Sequence, residues 1–584
     1  MRMPGRVNHE ADVCVVGGGM AGLCAAVSAA RRGARVVLMH DRPVLGGNAS
    51  SECRVHICGA DRHNRLKHLR ETGILEELRL ENLRHNPHAD FSLWDLVLYE
   101  AATREPRVSL LLNCSCVEAQ VASGAVQSVT GWQMTTQTWH TVSAFIFVDC
   151  SGDGILAPLS GAEFRMGREG RDEFGESLAP EHPDTKTMGM TCLFEAREYP
   201  APQKFEPPAW AYRYDRCEEL PYGEAGHRWY RMGYWWVELG GEQNTIADAE
   251  TVRDELLKIC LGVWDHIKNR CPHRDEAARW ALEWLQFLPA KRESRRYVTL
   301  HTLSQKDIES GGRFPDTVAY GGWSMDDHHP AGFHAVRIGA PPTLFHRAPS
   351  PYGIPYRCLV SKTVRNLMCA GRDAGCTHIA MSSTRVMGTG CSMGQAVGTA
   401  AAMAVRKGCL PHELLPFVGE LQQTLLADDA YLPGVRQEFS ALTRAARLTS
   451  SQGDPEPVRD GWNRQIGDDP HAWQWRPGDW ISYCFPAAQD VREICLILDS
   501  GLDLLIQMSR HQRDDQLRTL PPCLPRALLV EGKTGGNWHT LYSTADNHHR
   551  LVRIPVDHPL EGVRATLRET WGDAPSRLYA FWVE

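Results

Sequence analysis

No apolar run in this 584-residue chain reaches the roughly 18–20 residues that a membrane helix needs, so no membrane partner is expected. Positive charge is not in excess either. The 63 Lys and Arg are outweighed by 71 Asp and Glu, a net charge of −8, and a dedicated nucleic-acid binder would show the opposite balance. None of the 19 cysteines forms a CxxC pair, and Cys114 and Cys116 stand close together without a second pair. His266, His273 and Asp265 fit no HxxxH or other dedicated metal spacing, so no metal is expected. The opening MRMPGRVNHEADVCVVGGG lacks a small-residue cleavage site after its apolar segment. A cytoplasmic location with reduced thiols is therefore expected. Repeats and low-complexity tracts are also missing.

What remains is ordinary globular composition, 43% hydrophobic and 23% charged, at a length that suits two to four domains. Residues 11–16 (ADVCVV) read as a strand, 20–32 as an Ala-rich helix ended by Gly33, and 35–39 as a second strand. Between the first strand and the helix, Gly17, Gly19 and Gly22 fit G-x-G-x-x-G. The first glycine permits a tight turn, the second lets backbone approach a pyrophosphate, and the third lets the helix pack against the strand. The acid that grips an adenosine ribose would fall at His40, followed by Asp41.

Four ordered blocks over roughly 1–430 resemble the FAD-dependent oxidoreductases among the glutathione-reductase-like flavoproteins. They are DRPVLGGNASSECRVHICGA (41–60), VDCSGDGILAPLSGAEFRMGREG (148–170), KRESRRYV (291–298) and CAGRDAGCTHIAMSSTRVMGTGCSMGQAVGTAAA (369–402). Cys150 and Ser151 replace the usual Ala and Thr of the second block, and Gly388 replaces a proline in the fourth. The resemblance implies non-covalent FAD, held by Gly17, Gly19, Gly22, His40 and Asp41. It places Gly46, Gly47, Asn48 and Ser51 beside the isoalloxazine, Asp153 towards the adenine, and Gly371, Arg372 and Asp373 at the ribityl chain and phosphates. Met393, Gly394 and Gln395 would present a helix N-terminus to the flavin.

Oxidising a hydroxyl requires a proton acceptor, for which histidine suits neutral pH. His378 and His56 lie in matched blocks and are the candidates, with Arg385 and Arg292 as catalytic cations. Arg54, Arg295, Trp323, His328, His329 and Tyr356 are candidate substrate contacts. Each of these has a competing structural role: ion pairing for the arginines, core or surface for the rest. Trp264, Trp280 and Trp284 read as core residues on helix-like segments.

The expected architecture is α/β. A discontinuous Rossmann-like FAD-binding domain (1–165 and 346–430) carries an inserted α+β substrate domain (166–345). A linker (431–460) leads to an all-β sandwich (461–584) that resembles galactose-binding-like jelly rolls. The expected activity is oxidation of a CH–OH group of a carbohydrate-like small molecule, with a separate electron acceptor and a possible homo-oligomer. The alternatives are a dehydrogenase or reductase of a carboxylated molecule, with arginines as clamps, and a non-redox flavoprotein lyase. The GG loop also resembles tRNA-modifying flavoproteins, but the net acidity opposes that reading.

Overall fold

A computed structural model describes residues 5–509 and 515–584. The chain divides into two compact units, the first holding residues 5–59, 94–416 and 508–509, the second 60–93, 417–507 and 515–584.

The first unit is built on a parallel sheet. Strand β1 (Gly5–Val16) pairs in parallel with β2 (Val36–Met39) on one side and β6 (Thr138–Asp149) on the other. β3 (Val108–Leu111) extends the sheet beyond β2. The inner half of β1 is buried on both faces, as expected of a parallel strand covered by helices. β6 is long enough to serve two neighbours. Its first half pairs with β5 (Ala125–Gln133), which continues to β4 (Cys114–Ala122), and its last residues pair in parallel with β7 (Leu367–Cys369). β3 and β7, which lie on either side of residues 166–345 in sequence, thus belong to one sheet. Ligands of such sheets bind beyond the carboxyl ends of the strands. Here those ends are Val16, Met39, Asp149 and Cys369, and Gly17, Gly152 and Gly371 follow three of them closely.

Helix α1 (Met20–Arg31) follows β1. The insert packs around helix α2 (Ala249–Asp265), whose Val252, Leu256, Ile259 and Val263 meet Phe194, Tyr234, Trp236 and Phe333. Trp264 is on this helix, whereas Trp280 and Trp284 lie on a strand (Trp280–Leu285), not on the helix their spacing suggested. After β7 come α3 (His378–Thr384) and α4 (Met387–Lys407). α4 lies directly on α1. A Cβ on Gly394 would stand 2.1 Å from the Ala21 carbonyl oxygen, and one on Gly398 2.1 Å from that of Ala25. The Gly/Ala-rich composition of α4 is thus a helix-packing requirement.

The second unit contains two antiparallel sheets. One runs Arg447–Ser450, Trp480–Gln489, Leu560–Thr570, Pro525–Thr534, Asn537–Thr544. The other runs Trp473–Trp475, Ser576–Val583, Glu493–Leu498, Leu551–Pro555. Ile481, Val530 and Val563 of the first share a core with Trp475, Leu496 and Phe581 of the second. The stretch 431–460 is not a bare linker: Arg447–Ser450 is a strand of the first sheet, and Ala446 and Val458 belong to the sandwich core. The helix Ile74–His85 also belongs to this unit, with Leu80 and Leu83 packed on Ile506, Leu520 and Leu524.

Candidate active site

The glycine turn meets its steric specification. Gly17 has φ +99°, and a Cβ there would stand 2.5 Å from the backbone of Cys150. A Cβ on Gly22 would fall 1.8 Å from the Gly17 carbonyl oxygen. At Gly19 the requirement is different: its Cβ would meet only the Gly47 Cα, at 4.0 Å, so the space beside it is open. Gly19 is the N-cap of α1 and supplies no side-chain cap, leaving the first-turn N–H groups to an anionic ligand. The loop from 41 to 60 closes the other side. Gly46 N–H donates to the Gly18 carbonyl (2.9 Å), and Asn48 Nδ2 donates to the Lys291 carbonyl (3.1 Å). Ser51 N–H donates to Asp95 Oδ1 (2.9 Å), which fixes the loop from behind.

His40 does not reach outward. It is 5% exposed, its Nδ1 accepts from Gly18 N–H (2.9 Å) and its Nε2 lies 3.0 Å from the Val44 carbonyl. Burial lowers its pKa, and the neutral ring braces the glycine turn. Asp41 is the outward-facing member of the pair, its side chain 52% exposed and 3.6 Å from Arg42.

Three of the quoted blocks converge on Asp153. It pairs with Lys291 Nζ (2.5 Å) and Arg372 Nη2 (3.1 Å), and Ser294 Oγ donates to it (2.8 Å). Burial alone would raise its pKa; Arg372 and Lys291 overcome that and hold it at about 2. Asp373 is fully buried, and neither of its carboxylate oxygens has a hydrogen-bond partner among the described residues. Burial, and then the charge of Asp149, push its carboxyl well above the usual range. The open gap at Gly19, the uncapped helix and an unpartnered acid beyond β7 together fit a pyrophosphate-bearing dinucleotide with polyol hydroxyls.

Beside these lies a network of acids, histidines and arginines. His378 is 1% exposed, with Nδ1 2.8 Å from Glu293 Oε2 and Nε2 3.1 Å from Asp327 Oδ1. Burial would lower its pKa, but the two carboxylates dominate and raise it to about 10. At neutral pH it is an imidazolium with both protons engaged, so it cannot be the proton acceptor expected of it. Arg296 pairs with Glu169 (3.0 Å) and Glu293 (3.4 Å) beneath. A second set joins Arg292, Glu238, His328, Asp326 and Arg385. His328 Nδ1 is 2.5 Å from Glu238, Arg292 is 3.3 Å from Glu238, and Arg385 is 3.3 Å from Asp326. Burial raises and the neighbouring His328, Arg385 and Arg292 lower the Asp326 pKa, which settles at about 2. Trp323 Nε1 reaches Asp326 (3.4 Å), and the Trp235 ring stands 6.0 Å from that of His328.

The other predicted residues are spread more widely. Arg54 pairs with buried Glu195 (2.6 Å) and stacks on Trp284 (4.3 Å). Arg295 donates to the Asp153 carbonyl (3.2 Å). His56 is half-buried. The His329 ring accepts from Ala331 N–H (3.2 Å) and closes a local turn. Tyr356 is fully buried, its hydroxyl on the Pro411 carbonyl (2.8 Å), so it is a core residue and not a ligand contact. Met393, Gly394 and Gln395 lie within α4, whose first turn is Met387–Gly390, so they do not form a helix N-terminus. Glu238 escaped the sequence reading, and Glu169 and Lys291 stood in quoted blocks without being given a role. Asp326 and Asp327 precede the candidates His328 and His329 in sequence, and only their partners reveal their role.

A parallel sheet with a glycine turn at one strand end, rejoined by a distant segment, defines a dinucleotide-binding enzyme fold. The chain belongs to the FAD dependent oxidoreductase family, whose model matches residues 12–425. It is an FAD-dependent oxidoreductase, with FAD as its cofactor. No curated protein sequence matches it. Among solved structures it is similar to a geranylgeranyl bacteriochlorophyll reductase-like protein from Thermoplasma acidophilum (12% identity, 73% of this chain and 85% of that one, TM-score 0.31). It is also similar to the OxyS anhydrotetracycline hydroxylase from Streptomyces rimosus (12%, 72% and 67%, TM-score 0.33). A family 32 carbohydrate-binding module from Streptococcus pneumoniae EndoD matches 25% of this chain and 99% of its own at 11% identity, TM-score 0.20. At these identities and scores none carries an argument about substrate. No helix among the described residues is long and apolar enough to cross a membrane.

Proposed function

We propose that this enzyme oxidises a CH–OH group of a sugar, glycoside or related polyhydroxylated small molecule, with FAD held non-covalently and reoxidised by a separate acceptor. The observation that carries this reading is that two of the site's guanidiniums, Arg292 and Arg385, are already neutralised. Arg292 faces Glu238 and Arg385 faces Asp326, with Trp235 and Trp323 alongside. A carboxylate clamp needs cations in excess; matched donors and acceptors beside indole faces suit hydroxyl groups. Bound FAD supplies the hydride acceptor. Asp41 takes the ribose and Asp373 the ribityl hydroxyls. His56 receives the hydroxyl proton, because His378 is held protonated by Glu293 and Asp327 and serves as a fixed positive charge.

The test is the visible spectrum of the holoenzyme under anaerobic conditions, before and after a panel of sugars, glycosides and carboxylated molecules. Bleaching by one sugar class is expected. His56→Ala should slow that bleaching about 10²–10⁴-fold at unchanged flavin content. Bleaching by carboxylates alone, with affinity lost in Arg292→Ala, would replace this reading with the clamp. Turnover with the flavin spectrum unchanged would replace it with non-redox chemistry.

A further inference from the structure

The insert contains a second polar centre that the flavin site does not use. Cys217, His227, His266 and Cys271 point their ligand atoms at one another, all within 4.8 Å, and all four residues are buried. Cys217 opens a short turn (Cys217–Glu219), and His227 follows the turn Gly223–Gly226. His266 directly follows α2, and Cys271 ends the wide turn His266–Arg270 that extends it. That turn is closed by Cys271 N–H donating to the His266 carbonyl (2.7 Å). Two chain segments far apart in sequence thus each supply one sulfur and one imidazole.

The separations have the dimensions of a tetrahedron. Zinc bonds of about 2.3 Å to sulfur and about 2.0–2.1 Å to nitrogen require edges of about 3.8 Å between sulfurs and about 3.5 Å between sulfur and nitrogen. Here Cys217 Sγ is 3.9 Å from Cys271 Sγ, 3.6 Å from His227 Nε2 and 3.5 Å from His266 Nε2. Cys271 Sγ is 3.3 Å from His227 Nε2. A disulfide would need the sulfurs at about 2.05 Å. The surroundings fix the lone pairs. Nδ1 of His227 lies 2.8 Å from the Gly223 carbonyl, and Nδ1 of His266 lies 3.0 Å from that of Tyr214. A carbonyl only accepts, so both Nδ1 atoms carry the proton and both Nε2 lone pairs converge on the sulfurs, the outer arrangement that metal-binding histidines use. His273 N–H donates to Cys271 Sγ (3.4 Å), as suits a thiolate.

We infer that Cys217, His227, His266 and Cys271 hold one zinc ion in a closed, four-coordinate structural site. Two sulfurs and two imidazole nitrogens in this geometry select zinc, and with no position left for water the ion is a staple, not a reagent. It ties the segment before Trp235 and Glu238 to the end of α2. The Trp236 indole donates to the Gly226 carbonyl (3.1 Å), next to His227. The sequence reading paired His266 with its sequence neighbours, whereas the partners that face it here come from the segment at 217–227 and from Cys271.

The test is metal analysis of the full-length holoenzyme, independent of its substrate. One zinc per chain, retained through dialysis against a chelator, is expected. Protein grown with cobalt should show thiolate-to-cobalt charge transfer and tetrahedral d–d bands in the red, beyond oxidised flavin absorption. Cys271→Ser should lose the ion. Cys260→Ser, buried on α2 with its thiol on the Cys192 carbonyl, should keep it. If Cys271→Ser does not fold, the wild-type zinc content and cobalt spectrum decide. A wild-type protein that takes up neither zinc nor cobalt overturns the site, as does zinc fully retained in both Cys271→Ser and His227→Ala. Iron in place of zinc overturns the assignment of the ion.

Discussion

His378 is enclosed by two carboxylates, and its energetics follow from that enclosure. Below about pH 6.5 it is protonated in both folded and unfolded chains, and its contribution to stability is fully present. Between there and about 10 only the folded chain keeps the proton, so stability falls as pH rises, and above that the contribution is gone. Thermal midpoints recorded against pH should decline over this alkaline window in the wild type. The decline should flatten in His378→Gln. His378→Ala leaves Glu293 and Asp327 buried without their cation and should cost about 3–5 kcal/mol in denaturant unfolding. The glycines make the opposite kind of prediction. Gly22→Ala places a methyl on the Gly17 carbonyl, and the purified protein should come off the column without its yellow colour. The glycine motif was legible in sequence because its steric demands fall within a few residues. The state of His378 was not, because Glu293 and Asp327 stand 85 and 51 positions away in the chain.

At the scale of elements, the βαβ opening and the strand at 367 could be read directly, since buried parallel strands appear as unbroken apolar runs. Gly394 of α4 was read as a cofactor contact. The structure assigns Gly394 and Gly398 to the face that meets α1, a distinction between two uses of the same residue that composition alone cannot make. Gly398→Val should therefore destabilise the protein by at least about 1–3 kcal/mol through overpacking against Ala25. Flavin affinity, measured at a temperature where the variant is still folded, should change far less than in Gly22→Ala. Trp280 and Trp284 misled in a similar way: their spacing suits a helix, but they lie on a strand that pairs with Phe194–Glu198.

At the scale of the whole molecule, the boundary of the second unit was the least legible feature. Eight of its nine described strands lie after residue 461, where turn signals announced them, and the ninth, Arg447–Ser450, fell inside the expected linker. Nothing in 60–93 distinguishes that stretch from the flavin-binding segments on either side. Only packing does so, through Leu80 and Leu83 against Ile506, Leu520 and Leu524, and through the buried pair Arg70–Glu76 (2.7 Å), with Ser500 donating to the same carboxylate. A fragment starting at 417 should then expose the apolar patch that this helix covers. It should bind a hydrophobic dye and aggregate, and adding a synthetic 60–93 peptide should reduce both.

The interleaving of the two units also bears on synthesis. The ribosome releases the Leu80 helix early, and its partners Ile506 and Leu520 follow only after more than 400 further residues have been made. At about 5–20 residues per second that interval is on the order of tens of seconds. Throughout it, Leu80 and Leu83 lack the side chains that bury them in the finished fold, so the first unit is synthesised before the second can close.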